Sequence, residues 1–153
     1  MRLFAPALFV VAADQLTKYL IRGAITPDGF IPLIGSQVGL THIVNTGASF
    51  GMLQGQNTIL VIVAALMIAA LFIWRKDLAP WKGGDILIGL ILGGVLGNLI
   101  DRLWIGGVTD FLKIGPWPAF NVADSTLTLG ILGLICITLL NERKMPKSKP
   151  SKN

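Results

Sequence analysis

Five aspartates stand in or beside apolar stretches of this 153-residue chain: Asp14, Asp85, Asp101, Asp110 and Asp124. A carboxylate next to hydrocarbon is costly, so such residues face protein or water and mark functional sites. Asp110 and Asp124 are the pair best suited to chemistry. Fourteen positions separate them, enough for a loop to leave a place and return to it. Paired carboxylates suffice to activate water, one taking its proton while the other polarises a target carbonyl. Two such groups close together cannot both ionise cheaply and share a proton instead. Plainer readings fit the same spacing. Asp124 follows Asn121 by three residues, a capping-box interval with Asp in place of Glu, and the helix dipole favours an acid there. Asp110 is equally readable as a solvated loop residue.

Apolar segments must position these groups. The chain is 53% hydrophobic and 14% charged, with a mean hydropathy of +0.71. Soluble domains are nearer a quarter charged, so the composition is that of an integral membrane protein. Four segments, residues 3–20, 58–74, 86–103 and 122–140, each have about the length that crosses ~30 Å of hydrocarbon. The first continues past Asp14 to Tyr19-Leu20, which reads as a retained span rather than a cleaved signal peptide. Cys136 has no partner for an internal disulfide and reads as a small core residue. The net charge of +5 does not make a nucleic-acid surface, because the basic residues do not interleave with aromatics.

Charge orients the spans. Nine of the thirteen cations fall on one side: Arg2, Arg75, Lys76, Lys82, Arg143, Lys144, Lys147, Lys149 and Lys152. Lys18, Arg22, Arg102 and Lys113 are left for the other. The positive-inside rule puts both termini in the cytoplasm. Asp14, Asp101, Asp110 and Asp124 then reach the extracytoplasmic surface, and Asp85 lies opposite.

The segments at that surface carry the remaining polar groups. Residues 23–57 are punctuated by Gly and Pro, and the alternation from Val38 to Val44 predicts a small β element between the first two spans. His42, the only histidine, is expected on the strand surface, and without a second ligand it makes no metal site. In the third span Asn98, Asp101 and Arg102 fall within one turn and need partners. Arg102 can pair with Asp101 or steady another carboxylate. Residues 104–119 read as a mobile gate, with Gly106, Gly107 and Gly115 giving freedom.

At these residues the chain resembles the lipoprotein signal peptidases (signal peptidase II). Five blocks carry the resemblance in order: Asp14-Gln15-Leu16-Thr17-Lys18; Asn45-Thr46-Gly47-Ala48-Ser49-Phe50; Gly93-Gly94 through Gly97-Asn98 to Asp101-Arg102; Val108-Thr109-Asp110-Phe111; and Phe120-Asn121-Val122-Ala123-Asp124. The resemblance implies that Asp110 and Asp124 are a catalytic aspartyl dyad. It implies that Asp14, Lys18, Asn45, Asn98, Arg102 and Asn121 surround the dyad or position substrate, and that Asp101 is structural support. It further implies a bacterial inner-membrane endopeptidase that needs no cofactor or metal and cleaves a diacylglyceryl-modified prolipoprotein before its lipidated cysteine. Membrane lipids and the cyclic peptide inhibitor globomycin are the other partners implied. Ser49 stands where the family usually has Ala, and the connection from Asp110 to Asp124 is compact.

The expected fold is thus an all-α integral membrane protein of four transmembrane helices with a small extracytoplasmic β element between helices 1 and 2. Residues 1–141 form one membrane-embedded peptidase domain, and 142–153 a basic, disordered cytoplasmic tail. A transporter or proton channel is the rival class. It requires polar groups through the membrane depth and often a repeat, whereas the cytoplasmic halves of these spans are apolar and no repeat is evident. A purely structural subunit would not need so many polar residues on one side.

Overall fold

A computed structural model describes residues 2–47, 52–78 and 80–142 of the chain. Ser49 and the tail beyond residue 142 lie outside the described residues. The elements in order are α1 (Phe4–Ala24), β1 (Phe30–Ile34), β2 (Val38–Asn45), α2 (Asn57–Ile73), a single-turn α3 (Arg75–Leu78), α4 (Gly84–Ile105), β3 (Val108–Ile114) and α5 (Val122–Glu142). Among the described residues three helices are long and apolar enough to cross a membrane: Phe4–Ala24, Gly84–Ile105 and Val122–Asn141. α2 is a shorter apolar helix of 17 residues.

α4 is the axis of the bundle, with α1, α2 and α5 packed on it. Its glycines make the close approaches possible. A Cβ on Gly89 or Gly93 would strike the α1 backbone, at 2.5 Å from Leu3 O and 2.8 Å from Ala7 O, and one on Gly94 would lie 2.5 Å from Ala123 O of α5. Without a hydrophobic drive between helices in lipid, such small-residue stripes supply the packing. The apolar core between α1, α2 and α4 is built on Leu3, Ala7, Ala64, Leu71, Ile88, Leu92 and Val95. Cys136 does not join it. It is exposed on α5, whose outer surface is mostly unburied, as suits a face toward hydrocarbon.

The β element is larger than alternation at Val38–Val44 suggested. β1, β2 and β3 form one antiparallel sheet with β2 in the middle. Its third strand comes from the connection between α4 and α5, so Val108–Ile114 is not a free gating loop. Gly106, at φ +75°, closes α4 in the left-handed conformation and lets the chain turn at once into β3. Beneath the sheet, Ile21, Ile25 and Phe111 bury a second small core. His42 is buried there too, with Nδ1 2.8 Å from Ile25 O, and does not face the strand surface as expected. The cause is a slip of the β2–β3 register between Leu40 and Ile43, which breaks the alternation and puts Thr41 and His42 both inside.

Candidate active site

The site assembles at one end of the bundle, where the second half of α1, the last turns of α4, the start of α5 and the sheet converge. Asp110 lies on β3 opposite Ile43 of β2. After a turn at Gly115 (φ +53°) the chain comes back, and Phe120 exchanges backbone hydrogen bonds with Leu112, N to O at 3.1 Å and O to N at 2.8 Å. This return sets Asn121 beside Asp110 and starts α5 there.

Asn121 joins the two candidate carboxylates. Its Nδ2 donates to Asp110 Oδ1 at 2.8 Å. Its Oδ1 accepts the Asp124 backbone N–H at 2.8 Å, and Asp124 Oδ2 accepts the Asn121 N–H at 3.3 Å. That reciprocal pair is a capping box, the plainer reading of Asp124, and it leaves the chemical one open. Each carboxylate has one more amide donor: Asn45 Nδ2 to Asp110 Oδ2 at 3.0 Å, and Asn98 Nδ2 to Asp124 Oδ1 at 2.7 Å. Burial, and then the charge of Asp124, push the Asp110 carboxyl up to about 7, against the lowering effect of the Asn45 and Asn121 hydrogen bonds.

Behind these groups lies a buried ionic cluster. Lys18 has its side chain fully enclosed, and its Nζ reaches Asp14 Oδ2 at 2.8 Å, Asn98 Oδ1 at 3.0 Å and Asp101 Oδ2 at 3.3 Å. Asp14 Oδ1 accepts the Ala123 N–H at 2.9 Å, satisfying another free donor at the start of α5. Asp101 accepts Arg22 Nη2 at 2.7 Å and the Thr109 backbone N–H at 2.9 Å. Gln15 Nε2 adds donors to Asp14 and Asp101. Two anions and two cations balance, which is the condition for enclosing such charges.

The structure brings Asp14, Lys18, Asn45, Asn98, Asp101, Asp110, Asn121 and Asp124 into one connected network. Arg102 stands at its edge and forms no ion pair with Asp101 or with any other acid among the described residues. Its guanidinium lies 3.5 Å from Asn98 O and from Gly47 O, at the wall of a cavity. Arg22, Thr109 and Gln15 belong to the network and were not expected there. For Arg22 a signal existed, since Asp14, Lys18 and Arg22 follow one another at four-residue spacing. Asp85 lies at the other end, paired with Arg75 at 2.9 Å. Among the described residues no group of three or more His, Cys, Asp or Glu could hold a metal ion.

A cavity of about 890 Å³ opens between α2, α4 and α5. Asn45, Asn98, Arg102, Asp110 and Asp124 line its polar end, and Leu60, Val63, Met67 and Leu127 its apolar remainder.

Helices that suit a membrane, with a buried and a half-buried aspartate joined through Asn121 at the head of an apolar cleft, fit the class of membrane-embedded proteases of the aspartic type. Comparison with known proteins gives the family. The family model for signal peptidase (SPase) II matches residues 6–140. The lipoprotein signal peptidase of Moorella thermoacetica is 42% identical over 135 residues, 88% of this chain and 89% of the relative. That of Dehalococcoides mccartyi is 43% identical over 141 residues, 89% of this chain and 88% of the relative. A solved bacterial membrane enzyme superposes with a TM-score of 0.83 at 34% identity, covering 97% of this chain and 92% of its own. The chain belongs to the signal peptidase II family, the aspartic-type proteases that remove signal peptides from prolipoproteins.

Proposed function

We propose that Asp110 and Asp124 are the catalytic dyad and that the substrate is a diacylglyceryl-modified prolipoprotein, cut before its lipidated cysteine. The observation that carries this reading is Asn121 donating to both carboxylates, from its amide to Asp110 and from its backbone N–H to Asp124, at the head of an apolar cavity. The acyl chains enter between α2, α4 and α5 while the scissile bond stops at the acids. The dyad shares one proton, because two carboxylates in one site do not both ionise cheaply and burial raises the Asp110 carboxyl to about 7; the mechanism starts from the form in which Asp110 holds it. A water between the pair gives a proton to Asp124 as its oxygen attacks the carbonyl carbon, and Asp110 protonates the carbonyl oxygen. As the tetrahedral intermediate collapses, Asp124 passes its proton to the leaving amine and Asp110 recovers its own. Arg102, at the cavity wall, binds a substrate carbonyl. Asp14, Lys18, Asn45, Asn98, Asp101 and Asn121 hold the dyad in place.

Residues 1–141 constitute the peptidase domain, with α2 as a fourth span. It carries no charged residue, and its 17 residues cover roughly 26 Å, which a slightly thinned bilayer accommodates. The site faces the extracytoplasmic side of the bacterial inner membrane, with both termini inside. Supporting this, Lys18 and Arg22 are neutralised by Asp14 and Asp101, which leaves Arg102 and Lys113 as the outer cations without an ion pair among the described residues. Globomycin is expected to compete for the cavity. A gel-shift assay with purified protein and a diacylglyceryl-modified prolipoprotein tests the reading. Cleavage by wild type, absent in D110N and D124N, is expected, and cleavage by both folded variants overturns it.

A further inference from the structure

Arg22 ends α1 with its side chain 30% exposed, and positive-inside counting treats it as an orientation signal only. Its contacts say more. Nη2 donates to Asp101 Oδ1 at 2.7 Å while Nε donates to Thr109 Oγ1 at 2.8 Å. Asp101 uses its other oxygen to accept the Thr109 backbone N–H at 2.9 Å. The guanidinium, the carboxylate and Thr109 thus close a ring that grips a fully buried residue by both its hydroxyl and its backbone. Thr109 immediately precedes Asp110, and its carbonyl accepts Asn121 Nδ2 at 3.3 Å, the amide that also holds Asp110. The ring spans α1, α4 and β3; the last two are joined by the short Gly106-Gly107 turn, whereas α1 is remote from both in sequence and is tied to them here by Arg22.

We infer that Arg22 is a positioning residue for the reaction, which fixes the strand carrying Asp110 against the α4–α5 end by clamping Thr109 to Asp101. The inference rests on the reading of Asp110 as half of the dyad. A second consequence follows from charge. Lys18 already lies 3.3 Å from Asp101. With Arg22 gone, Asp101 is left without its closest cation and draws Lys18 toward itself, away from Asn98, whose amide holds Asp124. Both effects misplace the dyad and leave the apolar cavity intact, so turnover suffers and substrate binding does not. A displacement of about 1 Å costs about 10²-fold in such geometry.

The test uses the full-length enzyme in detergent or nanodiscs with a diacylglyceryl-modified prolipoprotein. R22M and T109V are each expected to lower kcat at least tenfold with KM changed less than threefold. T109S, which keeps the hydroxyl, should recover kcat to within threefold of wild type, and R22K, which has charge but no fork, should fall between. The R22M/T109V double variant should be no slower than the slower single, because both break one ring. Where R22M does not accumulate, T109V carries the test, since it leaves every charge in place. A T109V kcat within twofold of wild type, a loss carried by KM alone, or single effects that multiply in the double variant overturns the inference. So does a lowered thermal midpoint with kcat intact, the mark of a merely structural role. D110N in the same assay separates the two levels: if it retains activity the dyad reading fails, whereas an inactive D110N beside a wild-type-like T109V removes Arg22 alone.

Discussion

Lys18 donates to the side-chain oxygen of Asn98 at 3.0 Å, and this contact decides which way the Asn98 amide faces. The same oxygen accepts Asn121 Nδ2 at 3.2 Å, so the nitrogen of Asn98 is turned to Asp124, 2.7 Å away. Lys18 therefore acts on Asp124 without touching it. Its three protons go to Asp14, Asn98 and Asp101, so of the two roles open to it, surrounding the dyad or positioning substrate, its contacts are those of the first.

Lys18→Met should consequently damage stability and turnover together. Removing the cation leaves Asp14 and Asp101 enclosed with only Arg22 beside them, a loss of roughly 3–5 kcal/mol. A thermal midpoint lower by on the order of 10 °C is expected, along with a kcat loss, since the Asn98 oxygen is then held only by Asn121 and its amide is less firmly turned to Asp124. A K18M protein with an unchanged midpoint and a raised KM would restore the substrate-contact role.

Asp110→Asn and Asp124→Asn should each reduce kcat by ~10³-fold or more while leaving the protein inserted and able to bind lipidated substrate. Asn keeps shape and much of the hydrogen bonding but cannot take or give the proton. The double variant should be no worse than either single, because the pair works as one unit. Full activity in either folded variant assigns that residue to helix capping or strand packing only.

The raised Asp110 carboxyl links stability to pH. Its folded value, about 7, lies above the ordinary 3.8, so its favourable contribution is complete below ~4 and is lost as pH rises through 7. About three pH units amount to ~4 kcal/mol at most. Thermal midpoints of wild type and D110N measured from pH 4 to 8 should diverge steadily in favour of D110N. A constant offset from the amide's altered hydrogen bonds does not matter, since only the slope is read. Activity should decline above about pH 7 as the dyad loses its last proton. A pH-independent difference between the two midpoints contradicts the assignment.

Much of the site is legible in the sequence for one physical reason: an ionisable group in an apolar helix needs partners, so Asp14, Lys18, Asn98 and Asp101 announce a cluster. The four-residue and three-residue spacings then place them on common faces. Arg22 escapes because a cation at a helix end serves topology equally well. The pairing of β2 with β3 escapes because three helices intervene, and register between distant strands is not written in either strand alone. His42 escapes through the register slip, which alternation cannot foresee. Asp124 is readable both as a cap and as an acid; the structure shows the cap, and because the capping box leaves the other oxygen to Asn98 at the cavity, it does not exclude the acid.

The glycines of α4 give the last prediction. Gly97 lies where a Cβ would sit 2.7 Å from Asp14 Oδ2 and 3.2 Å from the Ala123 side chain. Asp14 is the carboxylate that holds both Lys18 and the first turn of α5. Gly97→Ala therefore pushes Asp14 off both partners, and α5 moves with Asp124 on it. Gly23→Ala is the control, because nothing lies within 4 Å of the added methyl and α1 gains a better helix former. G97A should lose at least tenfold in kcat and several degrees of thermal midpoint, whereas G23A should match wild type in both. Gly94→Ala should be the more severe, because its methyl would meet Ala123 O at 2.5 Å, and backbone cannot rotate aside as a carboxylate can. If G94A cleaves as fast as G23A, the close approach of α4 and α5 is not what holds Asp124 in place.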